Sequence, residues 1–184
     1  MKTGGEMEAL GQGASMDAGE LEARAACLVN PASGVANDYL NHFNEVLLLI
    51  ENLPVLLPEM VDEILGWEPI SYREYFQKSR LPGSAKALQI YDGIDAGFRT
   101  YFEGQIASLN AMALESIAVI KEHRSEDGTI EPDSVAEFCE LASAKMRKAL
   151  EHTADLVNNG RRAVVEGPQN MADRLLSMPA TATA

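Results

Sequence analysis

Positive charge is what this sequence has least of. Fifteen Lys and Arg stand against 28 Asp and Glu, leaving a formal charge of −13 over 184 residues. Nucleic-acid phosphates need clustered Lys and Arg, so that partner class is excluded in expectation. An anionic membrane surface is excluded on the same ground. No stretch of the chain is basic on balance, so no cationic domain hides behind the average.

Cysteine is nearly absent. Cys27 and Cys139 are the 2 cysteines, too few for a small disulfide scaffold and too few for a zinc site without His or carboxylate help. Long apolar runs are missing as well. The longest strongly apolar stretch is Val46–Ile50, far below the ~20 residues of a membrane-spanning helix. The residues after Met1 are acidic and small, with no apolar core of a secretory signal. These gaps together lead us to expect a soluble, cytoplasmic protein with reduced thiols.

Alternating strand patterns and internal repeats are also lacking. What the chain has is helical periodicity. Ala36, Tyr39, Leu40, Phe43, Val46, Leu47, Ile50 and Leu53 fall within an arc of about 140° at 100° per residue. This predicts an amphipathic helix over 35–53, capped by Ser33 with Asp38 in its first turn and stopped by Pro54. Leu48 and Leu49 break its polar face, where Asp38, His42 and Glu45 also lie on the wheel. Pro58 can open a short helix over 58–66. Ser71 and Glu74 form a capping-box pattern for a helix over 72–79. Ser84 can cap another over 84–92. Gly93-Ile94-Asp95 reads as a break with Asp95 as the next cap, an unbroken helix from 84 being the alternative.

Two long stripes follow. Phe98, Tyr101, Phe102, Leu109, Met112, Ile117 and Ile120 predict a helix over 96–123. Val135, Cys139, Ala142, Met146, Leu150, Thr153 and Val157 predict one over 132–165, opened by Pro132, with Asn158-Asn159-Gly160 as the alternative end. A last amphipathic turn falls near 170–176. The expected fold is all-α: an irregular bundle on a long antiparallel hairpin of 96–123 and 132–165, closed by helix 35–53 and the short helices. Residues 1–30 read as a disordered or weakly helical tail, 31–178 as one helical domain, and 179–184 as a second tail.

Catalytic patterns are scarce. Serine-hydrolase, Cys–His, Walker and dinucleotide motifs are absent, and no cofactor is expected. Asp38, His42 and Glu45 are the weak metal candidates, spaced i, i+4, i+7. A carboxylate-bridged di-iron bundle requires Glu-x-x-His twice, and no His here has Glu three residues before it. His42 as a phosphoryl acceptor lacks the Lys and Gly that usually follow, and Glu45 would repel the phosphate. His123, near a helix end, suits capping, and His152 reads as a boundary residue.

Aromatic crowding is the most distinctive feature. Trp67, Tyr72, Tyr75, Phe76, Tyr91, Phe98, Tyr101 and Phe102 include most of the chain's 1 Trp, 5 Tyr and 5 Phe. Such residues form local cores and also favour interfaces. The leading expectation is a non-enzymatic helical module, regulator or adaptor, binding a protein partner or a second copy through Leu48, Leu49, Trp67, Tyr72, Tyr75 and Phe76. The alternatives are a metal- or small-ligand-dependent helical enzyme at Asp38, His42 and Glu45, and a phosphotransfer domain using His42.

Overall fold

The structure, a computed structural model, describes residue 19 and residues 29–55 and 59–161. The expected N-terminal helical segment before Val29, the role of Pro58, the turn near 170–176 and the 179–184 tail lie outside the described residues. Within them the protein is all-α, and the one β feature is an isolated antiparallel bridge between Arg124 and Ile130. A 3-10 turn, Asn37–Leu40, runs directly into α1 (Asn41–Asn52). Then come α2 (Glu59–Leu65), α3 (Tyr72–Lys78), α4 (Ser84–Gly93), α5 (Ala96–Glu122) and α6 (Pro132–Asn159).

Local chemistry explains most of these boundaries. Ser71 Oγ accepts from Glu74 N at 3.2 Å, and Glu74 Oε2 accepts from Ser71 N at 3.2 Å, a complete capping box for α3. Asp95 Oδ1 accepts from Phe98 N at 2.9 Å, so α4 and α5 are separate helices. Pro132 occupies the first turn of α6, where its missing N–H removes no helical bond.

Other boundaries differ from the sequence pattern. Ser33 does not cap α1; its Oγ accepts from Val35 N at 3.1 Å in the lead-in, and Ala36 precedes the 3-10 turn with no side-chain bond. Ser84 lies inside α4, where its Oγ donates to Leu81 O at 2.8 Å, while Gly83 takes the cap position at φ 92°. Helix α6 ends at Asn159, the alternative end that Asn158-Asn159-Gly160 offered, where Gly160 turns to φ 59°; the expected stretch to 165 lies outside the described residues beyond Arg161. Val29, assigned by composition to the tail, is 2% exposed and belongs to the core.

The hairpin of α5 and α6 is the frame. Tyr101, near the start of α5, reaches His152, near the end of α6, with 3.4 Å between hydroxyl and Nε2, as an antiparallel pair requires. Phe102, Ile106, Leu109, Ala113, Ile117 and Ile120 form the buried stripe of α5. They meet Val135, Cys139, Met146, Leu150 and Val157 of α6, with Ser143 and Thr153 bonded back to their own helix. Helix α1 lies across both, and Arg147 pairs with Glu51 at its edge. The polar lead-in closes the end of α6: Asn158 Oδ1 accepts from Asn30 Nδ2 at 3.2 Å and from Asn37 Nδ2 at 2.9 Å.

Candidate functional site

The aromatic residues converge on Tyr39. Its ring meets Phe43, Tyr72 and Tyr75 edge-on at centroid distances of 5.7, 5.3 and 5.6 Å. Tyr72 stacks on Tyr91 at 4.2 Å. Helix α3 is short, and its aromatic side fills the gap between the 3-10 turn and α5. Three phenols are spoken for: Tyr39 donates to Ile70 O at 2.7 Å, Tyr91 donates to Glu103 Oε1 at 2.9 Å, and Tyr72 accepts from Ala36 N at 3.0 Å. Burial pushes the Tyr72 hydroxyl up to about 12 and raises Tyr39 and Tyr91 further, so all three stay neutral.

This packing corrects the expected partner surface. Trp67, Tyr72 and Phe76 are at most 8% exposed and Leu49 is 6% exposed, so they are interior. Tyr75 is half-buried against the same core. Of the pair on α1, Leu48 alone is on the surface, 57% exposed, and Val55 just beyond the helix is 84% exposed. The reason is visible on the wheel: His42, Leu49 and Leu53 lie within about 40° of one another at 100° per residue. Trp67 and α2 dock on that edge and widen the buried arc.

His42 is therefore half-buried rather than open to solvent. Its imidazole stacks on Trp67, while Trp67 Nε1 donates to His42 O at 3.3 Å. Its Nε2 is buried without a hydrogen-bond partner, and burial lowers its pKa despite a backbone hydrogen bond with Glu68 and the charge of Glu45. Asp38 belongs to the 3-10 turn, whose side chains advance by about 120° rather than 100° per residue. Its charge acts instead on Tyr72 and Tyr75. Among the described residues, no three His, Cys, Asp or Glu side chains gather closely enough to hold a metal ion. Cys139 is buried, its thiol raised to about 11 by that burial.

The α5–α6 loop has a feature that periodicity missed. Gly128 has φ 87°, and Asp127 Oδ1 accepts from both Thr129 N at 3.0 Å and Thr129 Oγ1 at 2.7 Å. With Gly128 as the sixth position of a calcium loop, the first and last ligand positions would be His123 and Ser134 instead of carboxylates. The Arg124 guanidinium fills this turn, donating to Gly128 O at 2.9 Å and to Asp62 Oδ1 at 2.7 Å. The positive charge here is the chain's own. His123 sits at the end of α5 with Nδ1 2.9 Å from Val119 O, a capping arrangement.

The aromatic core leaves one cleft of about 270 Å³ between the 69–73 segment and α5. Ile70, Tyr91, Phe102, Ile106 and Ala107 contribute apolar wall. Arg73 and Glu103 stand at one end of it and Asn110 further along α5. Arg73 lies 5.8 Å from the Tyr91 ring centroid and pairs with Asp92 at 2.5 Å. Asn110 Oδ1 is buried with no hydrogen-bond partner. A wider depression of about 450 Å³ lies around the 79–84 turn, lined by exposed Arg80, Leu81 and Gly83 together with buried Phe76 and Ser84. Set against protein-family models, curated proteins and solved structures, the chain matches none of them.

Proposed function

We propose that this protein is a non-enzymatic helical interaction module, a regulator or adaptor, working in the cytoplasm on a protein partner or a second copy of itself. The observation that carries this reading is the surface at the end of α1. Leu48 and Val55 are 57% and 84% exposed, while Leu47, Leu49, Ile50 and Leu53 around them are buried. Single exposed leucines are ordinary, but these two are seven residues apart at one end of a helix.

The net charge of −13 opposes nucleic acid and like-charged association alike, so the contact is apolar and local. No helix among the described residues is long and apolar enough to cross a membrane. The metal-dependent alternative draws no support from Asp38, His42 and Glu45, which do not gather closely enough to hold a metal ion, nor does phosphotransfer from a His42 whose Nε2 is covered.

The test is a double Leu48→Glu/Val55→Glu variant of the full chain. Both side chains are exposed, so thermal unfolding is expected within a few degrees of wild type. Light scattering and affinity capture on both proteins should show an assembly or a partner that only the wild type retains. A wild type that is monomeric and captures nothing that the variant loses would overturn this reading.

A further inference from the structure

The cleft along α5 has ordered chemistry from end to end. At one end the charges balance: Arg73 and Glu103 both line the cleft, and the charge of Glu103 acts on Arg73. Arg73 bonds Asp92 at 2.5 Å, and Arg99 Nη1 donates to Asp92 O at 3.2 Å. Each charged group keeps free capacity. Arg73 has five N–H donors and Asp92 does not use them all. Glu103 gives Oε1 to Tyr91 and keeps Oε2. A lone cation would meet the Arg73 guanidinium here and a lone anion the Glu103 carboxylate, so a ligand with both charges fits this end best.

The middle is apolar, with Phe102, Ile106 and Ala107 on one wall and Ile70 on the other. Asn110 stands seven residues beyond Glu103 on the same face of α5, about 10 Å further at ~1.5 Å per residue. Its Oδ1 has no partner, and a buried acceptor left so calls for a donor. Size sets the remaining limit. An apolar cavity of ~150 Å³ holds benzene, so a cleft of about 270 Å³ takes one ring system with a short polar tail.

We propose that this cleft binds a free aromatic amino acid whose ring carries a donor, phenol or indole. Its ammonium and carboxylate meet Glu103 and Arg73, and its ring donor meets Asn110. The site lies on the α5 face and does not depend on the Leu48–Val55 reading.

The experiment is calorimetric titration of the full chain with tyrosine and tryptophan, beside four relatives. These are phenylalanine, which lacks the donor, tyramine, which lacks the anion, 3-(4-hydroxyphenyl)propionate, which lacks the cation, and N-acetyltyrosinamide, which lacks both charges. Saturable one-to-one binding of tyrosine or tryptophan is expected, with each relative at least tenfold weaker. Amide chemical shifts of the wild type should move at 70–73 and 102–110. Ala107→Trp, at an exposed position on the cleft wall, should abolish binding, and Asn110→Leu should bring tyrosine down to the phenylalanine level. Far-UV circular dichroism checks that both variants fold. Absence of saturable binding, tyramine binding as well as tyrosine, or shifts confined to other residues would each overturn the proposal.

Discussion

The imidazole of His42 lies flat on the indole of Trp67, ring centroids 4.6 Å apart and planes 19° from parallel. The stack joins α1 to a residue 25 positions later and fixes the edge of the core. It also makes His42 a titrating group whose neutral form the fold prefers, since burial lowers its pKa below the ordinary 6.5. Between the lowered folded value and 6.5, the unfolded chain binds more protons, so stability rises with pH. The contribution is complete above the unfolded value and is lost as pH falls below it. Melting temperature is therefore expected to drop from pH 7 to pH 5 in wild type, and to drop less in His42→Phe, which keeps the stacking and removes the proton. The carboxyl groups Glu74, Asp95 and Asp127 are shifted downward from already low values and titrate below this window. Equal slopes for the two proteins would remove His42 from the pH response. His42→Ala, which deletes the stack, should cost about 0.5–1.5 kcal/mol at pH 7.

The residues that sequence read well acted locally. The Ser71–Glu74 capping box and the Asp95 cap depend on neighbours three residues away, and both form. Periodicity likewise located the stripes of α5 and α6. Misreadings arose where a distant segment decides the outcome. His42 and Leu49 look polar-faced on the wheel of α1 alone and are covered because Trp67 folds over them. Helix α6 stops at Asn159 where Gly160 meets the 32–33 lead-in, a contact more than a hundred residues apart. The cleft has walls from the 3-10 turn, the 69–73 segment, α4 and α5. Aromatic crowding hinted at it, but no spacing within one element encodes Asn110 opposite Arg73.

Glycine substitutions should separate two roles with opposite signs. At Gly160, φ is +59°, and an added Cβ would stand 2.5 Å from Ala32 O. Gly160→Ala is therefore expected to destabilise by roughly 1–3 kcal/mol. At Gly104, inside α5, an added Cβ meets nothing within 4 Å. Gly104→Ala should stabilise by about 0.5–1 kcal/mol through helix propensity. Urea denaturation midpoints, moving down for one and up for the other, are the measurement. A neutral Gly160→Ala would mean that the 32–33 lead-in does not pack on the end of α6.

Asp95 holds two partners at once, Phe98 N at 2.9 Å and Arg161 at 2.6 Å. Asp95→Ala removes both. The cap alone is worth about 0.5–2 kcal/mol, and the ion pair adds little because both side chains are substantially exposed. Asp95→Asn retains a capping oxygen and loses the charge, so it should recover most of the loss. If Asn recovers none of it in denaturant unfolding, the charge on Arg161 rather than the cap sets the cost.

Two tyrosine hydroxyls stacked within one ring pair should differ in what their loss costs. The Tyr91 hydroxyl donates to Glu103 Oε1 at 2.9 Å, and Glu103 is exposed, so water replaces the donor in Tyr91→Phe. The expected cost is about 0.5–1.5 kcal/mol. The Tyr72 hydroxyl instead accepts at 3.0 Å from the backbone N–H of Ala36, which is buried just ahead of the 3-10 turn. Tyr72→Phe leaves that donor with neither partner nor solvent, a loss of about 1–3 kcal/mol. Both substitutions conserve the stacked rings and nearly all of the volume, so packing cannot account for a difference between them. Amide hydrogen exchange at Ala36 gives a second reading: its protection should fall in Tyr72→Phe and stay unchanged in Tyr91→Phe. Equal stability losses, with Ala36 protected in both, would show that this N–H finds another acceptor and that the Tyr72 hydroxyl does not anchor the lead-in to α3.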